Sequence, residues 1–342
     1  MVHVDLNNKR LLLIAPMFFG YYREMIYEAE NMGLEVDYIC DAPSNSNISK
    51  AVCRINRKLI THTSKKYFYE NVMLTVSKKY YDFILVVAGM TFALLPDMIK
   101  KLKQMFSRAD FILYQWDSES NLPYCLEIHK YFDRIYSFDR LDCNANKTYH
   151  FLPLFYCKPY EELGIKNNIN PIYDCSYVGT AHPKKFKEIN NMSEYLIPYL
   201  PKQLIIHYMP SKLKYIYHKF TAPEYKRAKL KDFIMEKVST EEIKQIFRQS
   251  RCILDASQSG QTGLTIRTIE CLGAKRKLVT TNTDIKNYDF YNENNILVFN
   301  GVVDFDSPFF TLEYEDIPLH IYKKYSLRYW LKTMLHGIET EE

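Results

Sequence analysis

Between Ser257 and Asn282 the chain reads SQSGQTGLTIRTIECLGAKRKLVTTN. Gly260, Gly263 and Gly273, three of only ten glycines, fall in this stretch, and Arg267 and Glu270 stand between the last two. The preceding CILDA has the pattern of a strand. SQSGQTG reads as the loop at its C-terminal end, and LTIRTIECLGA as a helix. A helix start offers unpaired N–H donors and the positive end of a dipole to an anion. The donors are expected around Thr262, Gly263, Leu264 and Thr265, after a turn formed by Ser259, Gly260 and Gln261. Gly260 and Gly263 let an anion approach the backbone closely. Arg267 adds a fixed cation on the first turn, which suits a diphosphate. Glu270 is wrong for phosphate but right for a vicinal diol, because a carboxylate accepts from two hydroxyls at once. It lies about 7 to 8 Å along the axis from a start near Thr265. Diphosphate at the helix start and ribose one to two turns in describe a nucleoside diphosphate. The plainer alternative is an exposed i,i+3 ion pair between Arg267 and Glu270, worth about 0.2–0.5 kcal/mol. Gly273, near the helix end, is expected in the left-handed conformation.

A second stretch, DCSYVGTAHPKKF (Asp174 to Phe186), reads as a strand ending in Gly179 and Thr180. His182, Lys184 and Lys185 then open a helix. Gly179 permits close approach and either lysine could hold a phosphate. The alternative is an ordinary strand-to-helix turn with surface lysines. In YQWDSESNLPY, Asp117 could serve as general base for a hydroxyl nucleophile. Trp116 could stack on a sugar ring and Glu119 face an acceptor, unless Asp117, Ser118 or Ser120 caps a helix before Pro123. Phe19 and Gly20 in APMFFGYY suit an acceptor-facing loop or simple packing, and AGMTF (Ala88 to Phe92) is similar. Asp304 and Asp306 form the one Asp-x-Asp, a pair that can hold a divalent cation against a sugar nucleotide. Its place before SPFF reads better as a polar turn, and no metal site is expected.

These loops need elements to carry them. Short continuous apolar runs alternate with helical patterns: LLLIAP, EVDYIC, DFILVVAG, DFILYQWD, RIYSFD and YHFLPLF in the first half, and CSYVGT, QLIIHYM, CILDAS, KLVTTN and NILVFN in the second. A helix is expected near Pro123 to Tyr131. This alternation predicts two parallel, doubly wound, Rossmann-like α/β domains facing a central cleft, with ligands at the C-terminal strand ends. The polar, proline-bearing stretch Tyr156 to Asp174 reads as the linker. The domains are expected at 1–160 and 172–317, with 318–342 as a tail whose helix, Pro318 to Ile338, crosses back to the first domain.

The 342 residues suffice for two cores, and 47% hydrophobic and 25% charged residues are ordinary for a globular chain. No apolar run reaches the roughly 18 residues of a membrane span, and the N-terminus reads as a strand rather than a signal peptide. Eight scattered cysteines without a CxxC pair suggest reduced thiols in the cytoplasm and speak against zinc. The absence of GxGxxG after the first strand, GxxxxGK[ST] and GxSxG weighs against a dinucleotide oxidoreductase, a P-loop enzyme and a serine hydrolase. The net charge of +5 concentrates in Pro201 to Phe233 among tyrosines and phenylalanines. It reads first as solvated helix faces over packed tyrosines, and otherwise as a nucleic-acid or anionic-membrane surface. Nucleic acid is not expected as a partner.

With its loop–helix ending in Glu270, the chain resembles the GT-B glycosyltransferases. More narrowly, QSGQTGLTIRTIECLGAKRKLVTTN, YQWDS, RIYSFDRLDC, FLPLFY and YDCSYVGTAHPKKF look like the CgeB-like, glycosyl transferases group 1 branch of bacterial capsule, lipopolysaccharide and exopolysaccharide synthesis. The resemblance covers roughly Asp110 to Asn300. It implies a cytoplasmic enzyme that takes sugar from a UDP- or GDP-type donor without metal or other cofactor, and delivers it to a glycan or lipid-linked acceptor. It implies that Glu270 holds the ribose, and that the Gly260–Thr265 backbone, Arg267 and Lys184 or Lys185 hold the diphosphate. The first domain would hold the acceptor, and contact with the inner membrane would be peripheral. Many retaining members carry a Glu–x7–Glu pair whose first member falls here on Thr262. Retention is implied by the branch; inversion would require a base such as Asp117. A nucleotide-sugar epimerase or phosphorylase on the same plan is one alternative, and an inactive nucleotide- or glycan-binding protein is the other.

Overall fold

LLLIA and FILVVA are buried along almost their whole lengths, as strands covered on both faces must be. The computed structural model describes residues 5–43, 60–89, 92–165, 171–257 and 262–337. The chain divides into two compact units, Met1–Pro153 with Leu327–Glu342, and Leu154–Ser326. The first unit holds a parallel sheet of β1 (Arg10–Ala15), β2 (Glu35–Cys40), β3 (Phe83–Ala88), β4 (Asp110–Gln115), β5 (Arg134–Ser137) and β6 (Tyr149–Phe151), in the order β2-β1-β3-β4-β5-β6. Its helices include α1 (Tyr21–Asn31), α2 (Thr61–Tyr67), α3 (Met73–Val76), α4 (Pro96–Met105) and α5 (Arg140–Ala145), with a π-helical segment, Phe68–Val72, joining α2 to α3.

The helix expected near Pro123 to Tyr131 is instead two 3-10 segments, Pro123–Glu127 and His129–Tyr131. Leu122, Cys125 and Ile128 are the fully buried residues there. Their spacing of three matches the 3-10 period, so the segment winds to suit them.

The second unit holds α6 (Lys158–Ile165), β7 (Tyr173–Thr180), α7 (Pro183–Leu196), β8 (Gln203–Tyr208), α8 (Lys212–Thr221), α9 (Thr240–Arg248), β9 (Ser250–Asp255), α10 (Ile266–Gly273), β10 (Lys277–Thr280), β11 (Ile296–Val298), α11 (Pro308–Thr311) and α12 (Leu319–Lys324). Its five strands run parallel in the order β11-β10-β9-β7-β8.

The units divide at Pro153/Leu154, ahead of the stretch read from sequence as a linker. That stretch contains α6, which buries Tyr160 and Leu163 and packs on α9 and α10. Close approach of α6 and the residues just before it to α10 explains two glycines. A Cβ on Gly164 would lie 2.6 Å from the Gly273 carbonyl oxygen, and one on Gly273 would lie 2.5 Å from Cγ of Tyr156. Gly273 is therefore needed for packing, contrary to the left-handed role expected of it. The left-handed residue after the helix is Lys275, at φ 51°.

The tail is also divided. α12 ends before Tyr325 and Ser326, and α13 (Leu327–His336) follows. The break coincides with a backbone hydrogen bond from Tyr156 to the Tyr325 carbonyl and a parallel bridge between Tyr156 and Ser326. α13 buries Trp330, Leu331, Met334 and Leu335, and the Tyr136 hydroxyl donates to the Thr333 carbonyl. Ile338, the expected helix end, lies outside the described residues.

Candidate active site

In the second sheet β7 pairs with β8 on one side and β9 on the other, so the winding reverses between β7 and β9. The strand ends at such a switch point are where α/β sheets bind ligands. Gly179 and Thr180 close β7, and Asp255 closes β9. Asp255 is 1% exposed. Its carboxylate accepts from Lys185 Nζ at 2.9 Å, from the Thr265 hydroxyl, and from Thr268 Oγ1 at 3.2 Å. One buried charge thus joins β9, α7 and the first turn of α10. A lone acid ending an apolar strand, with threonines three apart beyond a loop, is the sequence signal for this hub; reading the loop for its ligand alone passes over it.

The loop is also tied to β10. Asn282 Nδ2 donates to the Thr262 carbonyl at 3.0 Å and, more weakly, to that of Gly263. The Ser257 amide donates to Thr281 Oγ1 at 3.1 Å, and that hydroxyl donates to Glu188 Oε2 at 3.1 Å. Lys184 faces the same glutamate at 3.6 Å. Lys185 is therefore committed to Asp255, and half-exposed Lys184 to Glu188.

Ser259, Gly260 and Gln261 lie outside the described residues. Thr265 is the N-cap of α10, so the helix starts just beyond the residues expected to supply its open donors. The amide of Thr268 is already taken by the Thr265 hydroxyl. Leu264 is buried beneath the start. Arg267 Nη1 lies 2.6 Å from Glu270 Oε2, with side chains 17% and 1% exposed. The i,i+3 pair is made, but it is buried, unlike the exposed pair weighed from sequence. The Arg267 guanidinium lies 5.2 Å over the Phe247 ring, and Tyr160 packs edge-on against the same ring. Burial pushes the Tyr160 phenol up, and the adjacent Glu270 carboxylate adds to this.

His182 is the N-cap residue of α7, in extended conformation. The Tyr177 hydroxyl occupies the place a Cβ on Gly179 would take. That hydroxyl is buried and has no hydrogen-bond partner among the described residues. A donor without a partner therefore lies at the end of β7.

The first unit has its own switch point, between β1 and β3. After β1, Phe19 and Gly20 both adopt positive φ, 45° and 83°, and Gly20 caps α1. Tyr21 lies 5.9 Å from Trp116, which brings the loops after β1 and β4 together. Asp117 is half-buried, with Oδ2 3.4 Å from where a Gly89 Cβ would be. Glu119 is half-buried. It accepts from the Tyr149 hydroxyl at 3.0 Å, and its amide donates to Asp142 Oδ2 at 2.7 Å. Tyr149 also reaches Gln115, which pairs with His129 Nε2 at 3.1 Å. Burial holds His129 below its ordinary value, although Glu119 opposes this. At the far end of the second unit the Asp306 amide donates to Asp304 Oδ1 at 3.0 Å, closing a turn.

Asp142 in this cluster is pushed up to about 6 by burial, with Asp139 and Glu119 adding to the shift. Its folded value lies above the unfolded one, so the folded state binds the extra proton. Stability from this group is present below about pH 4 and lost as pH rises through about 6. Asp142→Asn can still accept from Glu119. Urea midpoints of this variant are expected to fall less than those of wild type across that window; parallel curves would refute the assignment.

No protein-family model matches the chain, and no curated protein matches it. Solved structures do. Sucrose-phosphate synthase from Thermosynechococcus elongatus aligns over 85% of each chain at 12% identity, with a TM-score of 0.57. The lipopolysaccharide outer core galactosyltransferase WaaB, in its apo form, aligns over 96% of this chain and 99% of its own, at 12% identity and a TM-score of 0.52. The fold is GT-B. A UDP-GlcNAc 2-epimerase from Methanocaldococcus jannaschii also aligns, over 97% of this chain and 94% of its own, at 12% identity and a TM-score of 0.47, too distant in shape to carry an argument. The GT-B chain contains, among its described residues, no helix long and apolar enough to cross a membrane.

Proposed function

We propose that this chain is a glycosyltransferase. It binds a nucleoside-diphosphate sugar at the β7–β9 edge of its second unit and moves the sugar to a hydroxyl of a glycan or lipid-linked acceptor. The observation that carries this reading is the Asp255 hub, which fixes the start of α10 at the switch point beside Lys185. A fixed helix start is an anion site that needs no reorganisation when charge develops. The diphosphate lies against Gly260–Thr265, with Gly179, Thr180, His182 and Lys184 at the neighbouring strand end and the Tyr177 hydroxyl within the same edge. Glu270, already oriented by Arg267, accepts from the ribose hydroxyls.

The acceptor oxygen bonds to the anomeric carbon as that carbon's bond to the β-phosphate oxygen breaks. The helix start and Lys184, exchanging its exposed pair with Glu188 for the ligand, take up charge on the departing diphosphate, so no metal is required. The acceptor sits in the first unit, near Phe19, Gly20, Trp116 and Asp117. The resemblance to the CgeB-like branch supports a hexosyltransferase of capsule or lipopolysaccharide synthesis with a UDP or GDP donor. It also favours retention, in which the acceptor proton passes to the departing β-phosphate oxygen on the same face of the sugar; under inversion Asp117 takes that proton.

A panel of UDP-, GDP-, ADP- and CMP-sugars tests the reading by calorimetry and by release of nucleotide. One nucleotide class is expected to bind and turn over equally with and without EDTA. Binding without turnover would leave a nucleotide-binding protein, and no binding by any member would refute the proposal.

A further inference from the structure

Helix α8 has an apolar face that nothing among the described residues covers. Leu213, Ile216, Tyr217 and Phe220 are 79%, 48%, 63% and 86% exposed. At about 100° per residue these positions share an arc of roughly 100°. No residue of α8 is fully buried. Its opposite face holds it to the unit: Tyr215 packs on Phe233 and donates to the Ala228 carbonyl at 3.1 Å, and His218 stacks on Tyr225. Lys219 Nζ binds the carbonyls of Tyr225, Lys226 and Ala228, fixing the loop that follows. The exposed stripe is therefore held outward by a packed inner face.

Lysines border the stripe on its own helix. Residues 201–233 hold eight Lys and Arg against two acids, Glu224 and Asp232, a net +6 where the whole chain carries +5. Lys212 and Lys214 fall just outside the two edges of the arc, and Lys226, Arg227, Lys229 and Lys231 are exposed in the loop beyond. An apolar stripe flanked by cations matches the interfacial region of an anionic bilayer, where apolar side chains enter the acyl boundary and lysines meet headgroup phosphates.

We propose that α8 docks the second unit onto an anionic lipid surface, lying in the interface with Leu213, Ile216, Tyr217 and Phe220 inserted. The inference stands apart from the donor assignment. Sedimentation of the full chain with phosphatidylcholine vesicles, with and without phosphatidylglycerol, tests it. Binding is expected only with phosphatidylglycerol and should weaken as salt rises. The double substitution Leu213→Ser with Phe220→Ser is expected to reduce it about tenfold or more, with the urea midpoint unchanged. Lys212→Glu with Lys214→Glu should reduce it similarly. A second copy of the chain is the competing occupant, so light scattering accompanies the assay. The proposal is overturned by a wild type that ignores anionic vesicles, by a serine variant that binds like wild type, or by a wild-type dimer that the serine substitutions render monomeric.

Discussion

Replacing Asp255 with alanine is expected to lower stability by about 3–5 kcal/mol, the cost of breaking a buried pair by removing one partner. Three donors converge on this carboxylate, from Lys185, Thr265 and Thr268. Alanine leaves the Lys185 ammonium in a mostly covered position without its counter-charge, and leaves two hydroxyls to find water at the end of a buried strand. Asp255→Asn should cost less, because the amide keeps an acceptor for one hydroxyl while losing the charge that faces Lys185. The start of α10 depends on the same contacts, so Asp255→Asn should also weaken nucleotide binding while the protein remains folded. Urea denaturation and nucleotide titration of both variants measure this. A loss below about 1 kcal/mol for alanine would show that water satisfies the hub and that Asp255 does not anchor the edge.

Glu270→Gln is expected to weaken donor binding about 10- to 100-fold. Hydrogen bonds to a charged group contribute about 1.5–3 kcal/mol each, and about 1.4 kcal/mol is tenfold. The substitution keeps the size of the side chain and one oxygen acceptor. It removes the charge that faces Arg267 at 2.6 Å, so a stability loss of about 1–3 kcal/mol should accompany it. The two effects separate the two roles open to this residue. A carboxylate that only holds α10 to α6 and α9 through Arg267, Phe247 and Tyr160 would lose stability and leave the affinity of the folded protein unchanged. A ribose acceptor loses both.

The parallel sheets were legible because their strands are apolar runs with little else to signify. LLLIA and FILVVA can be little but buried strands, and the loops after CILDA and CSYVG follow from them. The partners that close the site were not legible, because they come from afar in the chain. Tyr160 lies in a polar, proline-bearing stretch that reads as a linker, yet it packs on the Phe247 ring that lies under Arg267 and stands beside Glu270, in a pair that is buried. Gly273 looks like a helix terminator; only the ring of Tyr156 against its Cα shows why a side chain cannot stand there. Leu122, Cys125 and Ile128 fit a helical pattern loosely, and their spacing of three selects the tighter 3-10 winding instead. Asp255 is not legible in the sequence because a carboxylate at a strand end looks solvent-facing, and only the fold brings the lysine and both threonines onto it.

The most direct test of the central claim is a calorimetric titration of the nucleoside diphosphate from the accepted donor, beside its 2′,3′-dideoxy analogue, against wild type and Glu270→Gln. If α10 reads a diphosphate at its start and a ribose at Glu270, removing the diol should weaken binding to wild type about as much as the substitution weakens binding of the natural nucleotide. The dideoxy analogue should then bind both proteins alike. A Glu270→Gln protein that binds both nucleotides as wild type does, or that weakens both equally, would contradict the account.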